Sequence, residues 1–95
     1  MIVLTASERE TLRHAARDYL VERSRFFFDA TAMARALQKR GYVDFAIDVE
    51  NVRAELDLLE EVELVKSRVD ELGSTKYYAA AAKGILAEER RKAGL

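Results

Sequence analysis

The residues that could carry out chemistry in this chain of 95 residues are few. His14 is the single histidine, and Glu10 and Asp18 lie four residues to either side, a spacing at which side chains pair on a helix surface. Cysteine is absent, which excludes thiol nucleophiles, disulfides and thiolate zinc sites. No serine lies in a nucleophile elbow, and the glycines are too scattered to cradle a phosphate. We therefore predict that the protein is not an enzyme.

An acidic group could in principle hold a hard cation. It consists of Asp44, Asp48 and Glu50, but the spacing of a calcium-binding loop is missing around it. Asp48 also has a simpler role as the cap of the helix that follows it. We expect no metal and no cofactor.

The basic residues form three groups that could contact a polyanion. The first group has a spacing of four and would form a ridge along one helix, the second flanks a predicted turn, and the third ends the chain. The groups are Arg9, Arg13 and Arg17; Lys66, Arg68 and Lys76; and Arg90, Arg91 and Lys92. The net charge is only −1, so any contact with DNA must come from local patches. Alternatively, the ridge pairs with acidic residues, within one chain or across a dimer.

Apolar periodicity and capping residues predict the elements that position these groups. Thr5 and Glu8 have the spacing of a capping box, Asp29 and Asp48 are helix N-caps, and Gly73 lies in a hairpin turn at 70–74. The predicted elements are a helix over residues 7–23, a short strand over 25–28, helices over 30–40 and 48–61, strands over 62–69 and 75–79, and a helix over 81–92. Residues 42–47 could form a loop with apolar anchors or a brief strand.

The third predicted helix is strongly acidic. Residues 48–61 contain six carboxylates and one base, a formal charge of −5. Lysine and arginine supply most of the affinity for duplex DNA, so a contact led by this helix is not favoured. Within it, Asn51 and Arg53 alone could contact bases.

The order of these elements and several spaced residues resemble small prokaryotic winged helix-turn-helix proteins of the MarR, ArsR and PadR type. Val52, Leu56 and Leu59 precede a Leu64-Val65 pair that enters the hairpin, and a Tyr78-to-Gly84 segment leaves it. A fainter similarity is to small winged-helix proteins of transposable phages. The resemblance implies an α+β winged helix-turn-helix, a three-helix core with a β-hairpin wing and a C-terminal helix, as one domain over residues 1–95.

Three positions bear on how closely the chain follows that pattern. Glu63 replaces the usual glycine, so we expect the turn from helix to wing to form without a residue of positive φ. Ala81 replaces the usual threonine cap of the last helix, a loss of about 1 kcal/mol. Gly84 keeps a position where that helix approaches a neighbouring element closely.

The resemblance implies a DNA-associated accessory protein or transcriptional regulator that contacts double-stranded DNA through the wing and basic segments. We expect such binding to be weak and dependent on salt. The candidate contacts are Lys66, Arg68, Lys76, Asn51, Arg53, Arg9, Arg13 and Arg17. Charge favours an alternative, in which a degenerate winged helix is a protein-interaction module with the acidic third helix as its docking face.

Location and assembly follow from the apolar residues. The run of four at the N-terminus is too short for a signal peptide and no run approaches a membrane span, so we expect a cytoplasmic protein. Phe26, Phe27 and Phe28 cannot all face one side of a strand. The leftover apolar surface, with Ile85 and Leu86 on the last helix, predicts a homodimer built from the first and last helices.

Overall fold

The computed structural model describes residues 1–94, which form helices around one face of a small antiparallel sheet. The elements are α1 (Ala6–Glu22), β1 (Phe28–Asp29), α2 (Ala30–Lys39), α3 (Val49–Glu61), β2 (Val65–Val69), β3 (Lys76–Ala80) and α4 (Ala82–Lys92). The strand order is β1-β3-β2, with β2 and β3 as the hairpin. The predicted α+β winged helix-turn-helix is confirmed, since α2 and α3 are followed directly by the hairpin wing and then by a C-terminal helix.

The core lies between α1, α2, α3 and the inner face of the sheet. Its largest fully buried apolar side chains are Leu12, Leu20, Met33, Leu37, Val52, Leu56, Leu59 and Tyr78. The residues of each helix recur at the spacing of one helical face, which is why the sequence pattern located them. Residues 42–47 form a loop, and Val43, Phe45 and Ile47 anchor it against the core.

The predicted helix caps are present at three helices. Thr5 and Glu8 form a reciprocal capping box at α1, and Asp48 and Asn51 form another at α3. Asp29 Oδ1 accepts a hydrogen bond of 2.7 Å from the backbone N–H of Ala32 at α2. The first helix begins at Ala6, one residue earlier than predicted. The N-cap of α4 is Ala81, which makes no side-chain cap hydrogen bond, as expected.

The phenylalanine segment is less regular than predicted. The strand covers two residues, Phe28 and Asp29, instead of residues 25–28. Phe28 points into the core and packs edge-on against Tyr19, with ring centroids 5.2 Å apart. Phe26 lies before the strand and is 61% exposed. The three rings do not share one side, as expected from the alternation of strand side chains.

The turn from α3 into the wing contradicts one expectation. Glu63 has φ +66°, so the turn keeps a left-handed residue although no glycine is present. Backbone hydrogen bonds from Glu63 to Glu60 and from Leu64 to Leu59, 3.0 and 2.9 Å long, form a Schellman motif that requires this conformation. A left-handed non-glycine residue costs roughly 1–2 kcal/mol, which the motif and the packing of the wing offset.

Gly84 lies where α4 crosses the start of the wing. A Cβ atom at this position would lie 2.0 Å from the carbonyl oxygen of Leu64, far inside van der Waals contact. The predicted close approach is therefore confirmed, and its partner is the backbone of Leu64.

Candidate nucleic-acid interface

A polar groove lies between the start of α2, the outer side of α3 and the tip of the wing. It has a volume of about 470 Å³ and we call it the wing groove. Its lining residues are Asp29, Ala30, Thr31, Arg53, Ser74, Thr75 and Lys76. Two of the predicted contacts, Arg53 and Lys76, therefore meet at one site, together with three hydroxyl groups that sequence reasoning did not identify. Cations with hydroxyl donors around them can bind phosphate oxygens.

Local hydrogen bonds fix the tip of the wing beside this groove. Asp70 Oδ1 accepts from the backbone N–H of Ser74 at 2.9 Å, and the N–H of Asp70 donates to the carbonyl of Thr75 at 3.0 Å. The hydrogen bond from the Ser74 backbone lowers the pKa of the Asp70 carboxyl. Ser74 and Thr75 are thus held in place by the turn itself.

Carboxylates of α3 attach the wing to the helix. Lys76 Nζ lies 2.7 Å from Glu60 Oε1 and 3.4 Å from Asp57 Oδ1. The Tyr78 hydroxyl donates to Asp57 at 2.7 Å, and the Ser67 hydroxyl donates to Glu60. Burial, followed by the bond to Asp57, raises the pKa of Tyr78 to about 12, whereas the bond from Lys76 lowers the pKa of Glu60. Two of the six acids of residues 48–61 therefore position the wing.

A third α3 acid binds two arginines of α1. Glu55 is 2% exposed; Arg9 Nε lies 3.1 Å from its Oε2 atom and Arg13 Nη2 lies 2.9 Å from its Oε1 atom. We call Arg9, Arg13 and Glu55 the Glu55 clamp. The arginine ridge thus pairs with the acidic helix inside one chain, one of the two alternatives that the sequence left open.

The third arginine of the ridge binds α4. Arg17 Nε donates to Glu88 Oε2 at 3.0 Å, and Arg91 Nε donates to Glu88 Oε1 at 3.0 Å. We call Arg17, Arg91 and Glu88 the Glu88 clamp, in which Glu88 is 1% exposed. Arg91 also reaches Asp18 at 2.8 Å. Burial raises the pKa of Glu88, but the hydrogen bond from Arg91 and the charges of Arg91 and Arg17 outweigh burial and lower it to about 2.

These contacts change the charge balance of α3. Arg9, Arg13 and Lys76 all bind carboxylates of residues 48–61, so these residues together with their three cationic partners have a formal charge of −2, whereas residues 48–61 alone have −5. Glu50 pairs with Arg53 on the helix itself. Within residues 1–94, Glu61 is the one α3 carboxylate that has neither an ion pair nor a side-chain hydrogen bond. Most of the charge that motivated an acidic docking face is therefore used inside the chain.

Asn51, another predicted contact, is directed into the fold. It is 5% exposed, its Oδ1 atom accepts from the Asp48 backbone at 3.0 Å, and its Nδ2 atom donates to the Ile2 carbonyl at 2.8 Å. Both ends of the amide are occupied, so its role here is to hold the start of α3 and the N-terminal segment.

The remaining wing cations, Lys66 and Arg68, lie on the opposite face of the sheet from Lys76. Arg68 Cζ is 4.4 Å and Lys66 Nζ 5.7 Å from the centroid of the Phe27 ring. Tyr77 pairs directly with Arg68 across the hairpin and so shares this face. We call Phe27, Lys66, Arg68 and Tyr77 the outer sheet face. The sequence grouped Lys76 with Lys66 and Arg68, and the structure separates them.

Sequence signals for the two clamps exist, although sequence reasoning missed them. Glu55 lies three residues after Val52 and four before Leu59, inside the apolar stripe of α3. Glu88 lies three residues after Ile85 on the inner side of α4. An acid inside an apolar stripe indicates a buried carboxylate that needs cationic partners.

Other sites receive little support from the described residues. In residues 1–94 no group of three or more histidine, aspartate or glutamate side chains could hold a metal ion. His14 Nε2 lies 3.7 Å from Glu10, the expected helix-surface pair. No helix in this part of the chain is long and apolar enough to cross a membrane.

Comparisons with known proteins identify the fold. No protein-family model matches the chain, and no curated protein sequence matches it significantly. A transcriptional regulator from Clostridium thermocellum superposes with a TM-score of 0.74 and 14% identity, over 98% of this chain and 87% of that one. A MepR mutant from a multidrug-resistant S. aureus clinical isolate superposes with a TM-score of 0.62 and 22% identity, over 95% of this chain and 56% of that one. Both are winged-helix proteins, and this chain has the winged-helix fold of such regulators.

Proposed function

We propose that the chain is a regulator-like winged-helix protein that associates with double-stranded DNA through the wing groove. The observation that carries the proposal is the convergence of Arg53 and Lys76 with the hydroxyls of Thr31, Ser74 and Thr75 in one open polar groove. Such groups bind phosphate oxygens and fix the orientation of a protein on a duplex. Because the chain shares its fold with a transcriptional regulator, we infer that the polyanion bound in this groove is DNA.

The same geometry predicts weak binding. Arg53 lies beside Glu50, and Lys76 lies beside Glu60 and Asp57, so phosphates must compete with carboxylates for both cations. The residual negative charge of α3 opposes a close approach to the backbone. We expect a Kd in the non-specific range, about 10⁻⁴–10⁻⁶ M at physiological salt.

The arginine ridge has a different role in this proposal. Arg9 and Arg13 bind a buried carboxylate, and Arg17 binds another, so a phosphate contact would leave Glu55 or Glu88 buried without its partners. That exchange costs several kcal/mol, which one exposed phosphate contact does not recover. The ridge therefore stabilises the fold while the groove contacts DNA.

Titration of a labelled random-sequence duplex at several salt concentrations tests the proposal. The double variant Arg53→Gln with Lys76→Gln removes both groove cations. We expect weaker binding and a slope of log K against log salt that is smaller by about 1.8, or 0.9 for each lost phosphate contact. The matched control, Lys39→Gln with Arg40→Gln, removes two exposed cations at the far end of α2 and should leave that slope nearly unchanged.

Two results would contradict the proposal. One is the absence of duplex binding at low salt in a folded protein. The other is an equal decrease of the slope in the groove variant and the control, which would indicate a diffuse attraction without a site. Circular dichroism of each variant checks that the loss of the Lys76 contacts has not unfolded the wing.

A further inference from the structure

On the outer sheet face, the side chain of Arg68 lies over the ring of Phe27. Phe28 faces the core, so the neighbouring Phe27 faces outward, and it is absent from the residues packed against the core. The Arg68 guanidinium carbon lies 4.4 Å above the Phe27 ring, and Lys66 Nζ lies 5.7 Å from it. Phe27 is half-buried while Arg68 and Lys66 are exposed. The ring therefore supports a planar cation whose other side faces solvent.

Lys66 and Arg68 differ in their ion pairing from the other cations that were predicted to contact DNA. Within residues 1–94 neither Lys66 nor Arg68 lies within ion-pair distance of a carboxylate, whereas Arg53 and Lys76 both do. Their charge is available to a ligand without the loss of an internal contact. They also lie on the opposite face of the sheet from Lys76, so a ligand bound to them need not displace a duplex from Lys76.

The chemistry of this face fits an anion that also has exposed planar groups. A guanidinium held flat by an aromatic ring accepts a stacked base on its free side, and a neighbouring lysine binds phosphate. A duplex hides its bases inside the stack, and an acidic peptide supplies charge with few planar rings. A single strand of nucleic acid supplies phosphates and open bases together.

We propose that the outer sheet face binds a short single strand of nucleic acid, with a base stacked on Arg68 and phosphates near Lys66 and Arg68. Phe27 is a positioning residue whose ring supports the Arg68 guanidinium, and Tyr77 borders the same face. The binding is tolerant of sequence because each base presents a similar flat surface. It is independent of duplex binding in the wing groove.

Titration of a labelled fifteen-nucleotide oligothymidylate with the full-length chain, followed by fluorescence anisotropy, tests this assignment. Arg68→Lys keeps the positive charge but removes the planar guanidinium on which a base would stack. We expect the Kd for the oligonucleotide to increase at least about fivefold. The salt slope should stay unchanged in that variant. The matched control is Arg35→Lys on α2, away from this face, which should have no effect. Phe27→Leu should weaken binding as Arg68→Lys does, and circular dichroism confirms that it folds.

The double variant Lys66→Gln with Arg68→Gln should lower the salt slope by about 1.4, or 0.7 for each phosphate contact to a single strand. Three outcomes would overturn the assignment: no binding of the oligonucleotide at low salt, wild-type affinity in Arg68→Lys, or equal binding of a polyglutamate peptide with the same sensitivity to these variants. The groove variant Arg53→Gln with Lys76→Gln should leave this binding intact, so failure here is distinguishable from failure of the duplex proposal.

Discussion

The Glu55 clamp and the Glu88 clamp are the same type of buried ion pair, one between α1 and α3 and the other between α1 and α4. In each, a glutamate that is almost completely buried lies between two arginines, and α1 supplies three of the four cations. The interfaces around them differ. The helix α3 also buries Val52, Leu56 and Leu59 against the core, whereas α4 buries Gly84 and Glu88 and contributes Ile85 only in part.

This difference determines what each clamp does. At α3 the ion pairs lie beside an apolar interface that would hold the helix without them. At α4 little apolar area is buried, so the charged contacts are the main attachment, supported by the close approach of Gly84 to Leu64. The comparison predicts a global effect when the first clamp is broken and a local effect when the second is broken.

The largest effect is expected from Glu55→Ala. Removal of the carboxylate leaves Arg9 and Arg13 without a partner and opens a space in the interface of α1 with α3. The free energy of unfolding should fall by about 3 kcal/mol, the lower end for a broken buried pair because both arginines can turn into solvent. Urea denaturation followed by circular dichroism measures the change.

Glu61→Ala is the matched control for that experiment. Glu61 lies on the same helix, is exposed, and has no ion pair within residues 1–94. Its replacement should change the unfolding free energy by less than about 0.5 kcal/mol. Similar losses in both variants would show that the Glu55 clamp adds nothing to the apolar interface.

A smaller and local effect is expected from Glu88→Gln. The neutral amide keeps one acceptor but loses the attraction to Arg17, which is 13% exposed, and to Arg91. Amides of α4 should exchange with solvent roughly tenfold faster, because about 1–2 kcal/mol of local stability is lost. Hydrogen exchange measured by NMR should show α3 unchanged, and an equal acceleration in α3 would contradict the local role.

Acid should release α4 before it unfolds the core. The pKa of Glu88 is about 2 in the folded chain, below its ordinary value of 4.5, so its stabilisation is complete above pH 4.5 and is lost as the pH falls towards 2. Asp18 acts in the opposite sense. Burial, and then Glu88, raises its pKa, so its charge costs stability at neutral pH and protonation relieves that cost. The net effect is therefore smaller than Glu88 alone would give.

NMR chemical shifts measured between pH 5 and pH 2 test the order of these events. Helical shifts of α4 should decline over this range while those of α3 persist. In Glu88→Gln the step at α4 should disappear, because the titrating group is gone. Simultaneous loss of both helices in the wild-type protein would show that α4 is not separately attached.

Local spacing predicted the fold well because caps, apolar stripes and the hairpin depend on residues close together in sequence. Thr5, Asp29, Asp48 and Gly73 all lie where the structure uses them. The site was harder to predict because its partners are distant in sequence, as Arg17 and Glu88 are. The face on which Lys76 lies is set by its pairing with Val69, and that register depends on the length of the loop.

A substitution on the outer side of α4 should have the smallest effect on stability but should change the oligomeric state. This helix turns Glu88 inward and leaves Leu86 54% exposed, the reverse of the usual distribution for a surface helix. The predicted homodimer of α1 and α4 would cover Leu86, with support from the exposed ring of Phe26. We expect light scattering at tens of micromolar to give a dimer mass, and Leu86→Lys to give a monomer with unchanged unfolding free energy. Glu89→Lys, an exposed neighbour, should remain dimeric. A monomeric wild-type protein would contradict this prediction and would leave the wing groove without the two-fold partner that palindromic DNA sites require.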